Sequence, residues 1–542
     1  MRSEQNKNKI DMEGTIMAKF ITAAEAARVI PDHATLGVGG QGLAGWPEEI
    51  ALAIRDCFKE TGHPCDLNVK QGCAMGDWHD QGITHLGEAG EGLVTKWSGA
   101  HIGSAFALLA LARENKLQCH CLPQGCIIHL WREIAAGRPG LYTKVGLGTF
   151  VDPRNCGGAM NDAALNGDKL VELVTINGEE YLHYLPFKLD VALLRGTTAD
   201  ENGNITFEDE SIVNEGMSIA AAAKNSGGIV IVQVKNIAKA GTMAPKDVRI
   251  PGVMVDYVVQ CSDPMKYHWQ TEGEYFEPAF SGQIKKPLDA IENMPFDEKK
   301  VLCRRCAMEI EKGFVINLGV GIPADMAKIL NEEGYLDYVT TSTEVGNFGG
   351  VSSALPNFGA AYNAEASVDH CAMFDFIDGG GLDMTCLGIG EIDEEGNNNV
   401  SCMGTRITGP GGFINITRAT PKVIFCGTFM GKAKLKVGDG KLEILEEGRI
   451  RKFVKHVSQI TFAGQFAPKD QEVMYITERA VFRLIDGKVT LVEIAPGMDL
   501  EKDILANMDF KPEISPDLKQ MDPGIFCETW GGLGAVLEAK NK

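Results

Sequence analysis

The chain has 542 residues and a formal net charge of −21, and 44% of it is hydrophobic. Its length and apolar content suit a globular protein with large cores and more than one domain. The acidic balance and the lack of a long basic run argue against a nucleic-acid partner. No stretch approaches the roughly 20 apolar residues of a membrane-spanning helix, which argues against a membrane one.

Residues 1–16 are polar, lack the apolar centre of a signal peptide and read as a disordered extension outside the fold. From about Met17 the pattern alternates. AARVIPDHATLGVG reads as a helix followed by a short apolar strand, and SAFALLALARENKL as a helix. VALLRG and IVIVQV are continuous apolar runs of the kind buried on both faces of a parallel sheet. A polar stretch with two prolines, residues 281–298, marks a boundary. Beyond it, CAMEIEKGFVINLGVG repeats the helix–strand order, PADMAKILNEEG predicts a helix, and Leu336–Thr343 predicts a strand ahead of Glu344. KVIFCGTF is another buried strand, and KLKVGDGKLEILEEGRIRKF reads as a β-hairpin around Gly-Asp-Gly. The expected fold class is α/β, with two related open domains, each having a largely parallel sheet and some added hairpin. Their expected limits are 17–285 and 299–542, joined by a linker over 286–298.

An internal duplication supports two related halves. Asp190–Asn204 aligns with Asp383–Asn397 at an offset of 383 − 190 = 193, and Val230–Val234 aligns with Val423–Gly427 at the same offset. Leu36-Gly-Val-Gly39 recurs as Leu318-Gly-Val-Gly321 at 318 − 36 = 282, which predicts an insertion of 282 − 193 = 89 residues in the first half.

The 15 cysteines form no regular framework and predict free thiols in a reducing cytoplasm. Cys303-Arg-Arg-Cys306 and Cys119-His-Cys121 each lack the further ligands of a tetrahedral zinc site, so both read as buried structural thiols, with no metal. Three glycine loops stand out: Gly37–Gly42, Gly319-Val-Gly-Ile-Pro323 and Gly409-Pro-Gly-Gly-Phe413. Each is either a tight turn or a loop whose backbone N–H groups bind an anion or a developing oxyanion. A dinucleotide site is the weaker alternative, because the third glycine of G-x-G-x-x-G is missing after Gly321.

Glu344 is the candidate chemical residue. It follows a hydroxyl-rich stretch and precedes Gly346, Gly349 and Gly350, which leave space beside a carboxylate. It is either an ordinary acid at a strand end or a nucleophile presented to a bulky substrate.

These segments together resemble the family I coenzyme A transferases, and within them the single-chain propionate/acetate type. The resemblance runs from about Met17 to about residue 510. It is carried by QGCIIHLWREIAAGRPGLYTKVGLGTFVDPRNCGG (124–158), DVALLRGTTADENGNITFEDE (190–210), NSGGIVIVQVKNIAKAGT (225–242), NLGVGIPADMA (317–327), FDFIDGGGLDMTCLG (374–388), RITGPGGFINIT (406–417) and ITERAVFRL (476–484). It implies that the E-x-G-x-x-G-G motif falls on Glu344, Gly346, Gly349 and Gly350, with Glu344 as a covalent nucleophile. It implies CoA-binding and oxyanion loops at Gly319, Val320 and Gly321 and at Gly411 and Gly412. The first-half loop, with Gly40, Gln41 and Trp46, departs from the Gly-Phe pair of relatives and is expected to border the acyl pocket. Gln124 is a candidate neighbour of the acyl group or a structural turn residue. The expected reaction transfers CoA between a short-chain acyl-CoA and a monocarboxylate such as acetate, propionate, butyrate or lactate. An acyl-CoA hydrolase, or a transferase for a longer or aromatic acid, is the alternative. Coenzyme A is a substrate and no cofactor is expected; the expected setting is a cytoplasmic homo-oligomer, dimer or tetramer.

Overall fold

The computed structural model of the protein describes residues 18–540. The extension expected at residues 1–16 lies outside them. Two large sheets organise the chain. The first has eight strands in the order Lys19–Phe20, Tyr257–Gln260, Ile229–Val234, Val191–Arg195, Thr35–Val38, Leu67–Gln71, Val94–Gly99 and Gln118–Cys121. Every neighbouring pair in it is parallel. Its central strands are buried on both faces, which is why they read as unbroken apolar runs. The second sheet has ten strands. Its parallel centre is Thr340–Ser342, Val315–Leu318, Met384–Gly388, Lys422–Cys426 and Glu472–Ile476. Antiparallel strands extend it on both sides.

The two sheets share a topology, but the register corrects the repeat read from sequence. Leu36 pairs with Val191 and Val38 with Leu193, while Ile316 pairs with Met384 and Leu318 with Cys386. Because Val191 and Met384 differ by 193, Leu36 occupies the place of Ile316, at an offset of 316 − 36 = 280. The two LGVG segments are therefore out of step by two residues, and the insertion is 280 − 193 = 87. A slip of two keeps every side chain on its own face, so the apolar pattern alone does not reveal it. Side-chain anchors agree with the sheet. The Asp190 carboxylate accepts from Thr35 N–H at 3.0 Å and Asp383 accepts from Val315 N–H at 2.8 Å. Asp200 closes its turn by accepting from the Asn204 N–H, and Asp393 does the same with Asn397.

Most expected elements form. Phe106–Arg113 and Met326–Glu332 are helices, the latter entered through a 3₁₀ turn with Pro323 at its start. Lys434–Gly438 and Lys441–Glu446 form an antiparallel hairpin, with Asp439 and Gly440 both at positive φ in its two-residue loop. The strand expected over 336–343 is shorter. Leu336–Tyr338 is a 3₁₀ turn and only Thr340–Ser342 pairs, because Val315–Asn317 offers a ladder only there. All fifteen cysteines are free thiols. Cys303 and Cys306 are buried in the second half's core, where Cys306, Cys386 and Cys426 bring their sulfurs within 4.8 Å of one another.

One apolar core runs from the first sheet into the second half, through Phe374, Phe413, Phe425 and Tyr475. Helices Gln124–Ala135 and His370–Asp378 meet along this seam. There the Gly125 N–H donates to Asn415 Oδ1 and Arg132 pairs with Asp375. The seam positions the site.

Candidate active site

Glu344 sits at the tip of a hairpin. Thr343 N–H donates to Asn347 O, Gly346 N–H donates to Thr343 O, and Ser342 pairs with Phe348. Three glycines make this turn possible. Gly346, Gly349 and Gly350 have φ of 111°, 75° and 74°, and a Cβ at Gly346 or Gly350 would strike a backbone oxygen. The Glu344 side chain is thereby held at the wall of a cavity of about 370 Å³ between the two halves.

The cavity gathers several of the residues singled out in sequence. Gly319, Val320, Gly321, Gly411, Gly412, Gln41 and Gln124 all line it with Glu344. A Cβ at Gly412 would lie 3.4 Å from Glu344 Cγ, so this glycine backs directly onto the carboxyl-bearing side chain. Gly321 has φ 87° and ψ −137°, a conformation open only to glycine, and it turns the chain from the strand Val315–Leu318 into the following 3₁₀ turn. The N–H of Gly411 is already committed, donating to Ala100 O at 2.9 Å, so it is not a free oxyanion donor. The N–H groups of Val320 and Gly412 have no acceptor among the described residues.

Two first-half residues lie elsewhere. Gly40 is not on the cavity wall; it shapes the small turn that pairs Gln41 with Ala44. Trp46 is packed in the core and borders a separate small cavity with Leu43, Glu48 and Arg195. The chain reverses through Gly42 and Gly45, both at positive φ, and this sends Trp46 away from Glu344. What holds it there is a buried ion pair. Arg195 Nη2 meets Glu210 Oε2 at 2.5 Å, and Arg195 Nη1 donates to the carbonyls of Leu43 and Trp46. Burial alone would push Glu210 up, but the charge of Arg195 and the bond to His268 hold it well below the usual carboxylate range. Arg195→Met leaves that carboxylate buried without its cation. It is expected to cost about 3–5 kcal/mol, read as a clear fall in unfolding temperature.

Other walls come from segments with no motif. Trp78, Leu355, Phe358, Leu387, Met403 and Phe413 make the cavity predominantly apolar. Trp78 has φ of 65°, rare for a bulky residue, and its ring meets His101 edge-on at 5.3 Å. Burial lowers His101 to about 4, so its imidazole is neutral near pH 7. Glu272, packed over Gly42, is raised to about 8 by burial and then by Asp77, which makes it a neutral acid at pH 7. Among the described residues, Arg406 is the one Lys or Arg on the wall, and it is exposed.

Burial also raises the Glu344 carboxyl above its ordinary range, against the pull of its own backbone N–H and of His370. One of its oxygens, Oε2, is buried with no hydrogen-bond partner among the described residues. A desolvated, underbonded carboxylate is a stronger nucleophile than a solvated one. The arrangement therefore offers a carboxyl nucleophile, two unpaired backbone N–H groups in nearby glycine loops, and an apolar chamber.

Known proteins of similar sequence and structure fit this chemistry. The Coenzyme A transferase family profile matches residues 20–261. A caffeate CoA-transferase of Acetobacterium woodii is 61% identical over 96% of this chain and all of its own length. The acetate CoA-transferase YdiF of Escherichia coli K12 is 41% identical over 95% of this chain and 96% of its own. The crystal structure of the acyl-CoA transferase YdiF apoenzyme from Escherichia coli O157:H7 superposes with a TM-score of 0.89, covering 95% of this chain and 97% of that one. A second structure of that enzyme, described as a thioester complex with CoA, gives 0.88. This chain belongs to the coenzyme A transferases as a single-chain member of family I, an enzyme that moves CoA between an acyl-CoA and a free acid.

Proposed function

We propose that the protein exchanges CoA between a short-chain acyl-CoA and an arylpropenoic acid through a covalent glutamyl-CoA on Glu344. The observation that carries this reading is the cavity joined to Glu344, whose walls include Trp78, Phe358, Met403 and Phe413. Its volume of about 370 Å³ falls at the small end of the roughly 300–1,000 Å³ usual for small-molecule pockets. The caffeate-transferring relative at 61% identity supports an aromatic acid, and the acetate-transferring relatives support a short-chain partner.

The chemistry needs a covalent relay because two carboxylates do not exchange CoA directly. A Glu344 oxygen attacks the donor thioester carbonyl, and the C–S bond breaks. The products are a mixed anhydride and the CoA thiolate. The thiolate attacks the Glu344 carbonyl carbon, the anhydride C–O bond breaks, and the donor acid leaves as its carboxylate. Glu344 now carries CoA as a thioester. The acceptor carboxylate attacks this thioester, and the same steps in reverse form the new acyl-CoA and free Glu344. Val320 and Gly412 N–H are the donors proposed for the oxyanions. Gly319 and Gly321 shape the first donor loop, and Gly411 anchors the second through Ala100. The route uses no redox or metal cofactor.

A panel of acceptors tests the substrate assignment. With acetyl- or butyryl-CoA as donor, caffeate and cinnamate are expected to give at least about tenfold higher kcat/KM than succinate, whose second carboxylate meets no buried cation among the described residues of this chamber. A preference for succinate or acetate over the aromatic acids would overturn it. Thioester loss without any acceptor would indicate a hydrolase instead.

A further inference from the structure

Three fully buried side chains form a row behind the cavity. Gln124 opens the helix Gln124–Ala135, Glu215 precedes the helix Gly216–Asn225, and His370 opens the helix His370–Asp378. Their exposures are 0%, 1% and 0%. Glu215 Oε2 is 2.8 Å from His370 Nδ1, and His370 Nε2 is 2.8 Å from the Gln124 side-chain nitrogen. The first half supplies Gln124 and Glu215; the second supplies His370. Gln124 lines the Glu344 cavity, and its backbone N–H donates to Gly411 O. Its remaining amide atom, Oε1, has no hydrogen-bond partner among the described residues and lies 3.9 Å from where a Gly411 Cβ would stand.

The hydrogen-bond pattern constrains which way the amide faces. Glu215 has His370 as its one side-chain hydrogen-bond partner among the described residues, and a fully buried carboxylate is costly without a cation. A protonated imidazole satisfies it and makes both ring nitrogens donors. The Nε2–H then requires an acceptor, and Gln124 supplies one only through its carbonyl. The oxygen and nitrogen of an amide exchange places by a half-turn of the group. That turn leaves the –NH₂ on the unpaired side, by Gly411, where it can donate to a carboxylate or a carbonyl oxygen. With neutral His370 carrying its proton on Nδ1, the reverse orientation would present a carbonyl there and repel a carboxylate.

We propose that Glu215 and His370 are positioning residues that fix the Gln124 amide with its N–H groups toward the acid substrate. The proposal rests on the CoA-transfer reading given above and adds the element that sets the polarity of the acid subsite. Gly39 and Gly72 pack close to the Glu215 carboxyl group: a Cβ at Gly39 would stand 3.0 Å from Ile219 and 3.3 Å from Glu215 Cδ, and one at Gly72 would stand 2.4 Å from Ile128 and 2.8 Å from Glu215 Oε1.

The test separates the two layers. Wild-type protein is mixed with acyl-CoA alone and CoA attachment at Glu344 is measured, which checks the underlying reading. Glu215→Gln, His370→Asn and Gln124→Glu are then compared in the full reaction. The expected result is a rise of about tenfold or more in KM for the acid, the loss of one charge-assisted hydrogen bond, with KM for acyl-CoA within about twofold. In the wild-type protein, ¹⁵N-labelled histidine spectra are expected to show His370 protonated on both nitrogens. This reading does not depend on whether a variant folds. Unchanged acid KM in Glu215→Gln and His370→Asn, or a neutral His370 protonated on Nδ1 alone, overturns the proposal even where CoA attachment at Glu344 is normal.

Discussion

Glu344→Gln is expected to lose CoA transfer by at least about a thousandfold, because an amide cannot form the anhydride or the thioester. The same variant should be more stable than the parent at pH 8. Burial raises the Glu344 carboxyl above its ordinary range. For an acid whose folded value is raised, the native state holds the proton more tightly than the unfolded chain. The associated stability is fully present below the unfolded value of about 4.3 and is lost as pH rises through the folded value. The glutamine variant has no such loss, so its advantage in unfolding temperature should grow from pH 4 to pH 8. Transfer by the parent enzyme should run the other way. Its kcat/KM should climb with pH through the folded value, since only the carboxylate attacks. A variant that is inactive and also less stable at pH 8 would show that Glu344 holds the fold rather than performing the chemistry.

The second large effect is expected at Gly412, in contrast with its neighbour. Gly412 has φ −79° and ψ −5°, which any residue adopts. A Cβ there meets Ile416 at 3.2 Å, Glu344 Cγ at 3.4 Å and Phe374 at 3.5 Å. Gly412→Val therefore pushes on Glu344 and on the proposed oxyanion donor without straining the backbone. A displacement of about 1 Å at a reacting group costs on the order of a hundredfold, and that loss is expected in kcat. Gly411 has φ 54°, and a Cβ there would meet only Gln124 Oε1, at an unstrained 3.9 Å. Gly411→Ala should cost about 1–2 kcal/mol of stability from the left-handed conformation and reduce turnover less than Gly412→Val. Rates measured beside unfolding curves separate the two. Equal loss of kcat in both variants would remove the distinction between the committed N–H of Gly411 and the unpaired one of Gly412.

What the sequence reveals follows from how local each feature is. Glu344 and its three glycines are legible because the carboxylate and the turn that presents it occupy seven consecutive residues, Glu344–Gly350. The buried parallel strands are legible because their apolar runs are uninterrupted. The cavity beside Glu344 is not, since Trp78, His101, Glu272, Leu355 and Met403 come from five separate segments and converge only when the two halves pack. Trp46 misleads for the same reason. Its loop does reach the cavity through Gln41 and Gly42, but the turns at Gly42 and Gly45 direct the indole into the core. The duplicated LGVG segments mislead differently, because identical letters stand two residues apart in sheet register, with Leu36 opposite Val191 and Ile316 opposite Met384. Nothing in the local sequence around Glu215 or His370 marks them, since each matters only through a partner more than a hundred residues away.

The covalent step is the centre of this account, and peptide mass spectrometry after incubation with an acyl-CoA alone tests it most directly. The expected result is CoA attached, in place of a carboxylate oxygen, to the peptide containing Glu344. It should be removed by addition of an acid acceptor that is converted to its CoA ester. An active enzyme that carries no CoA on that peptide, or carries it on another residue, would contradict the account.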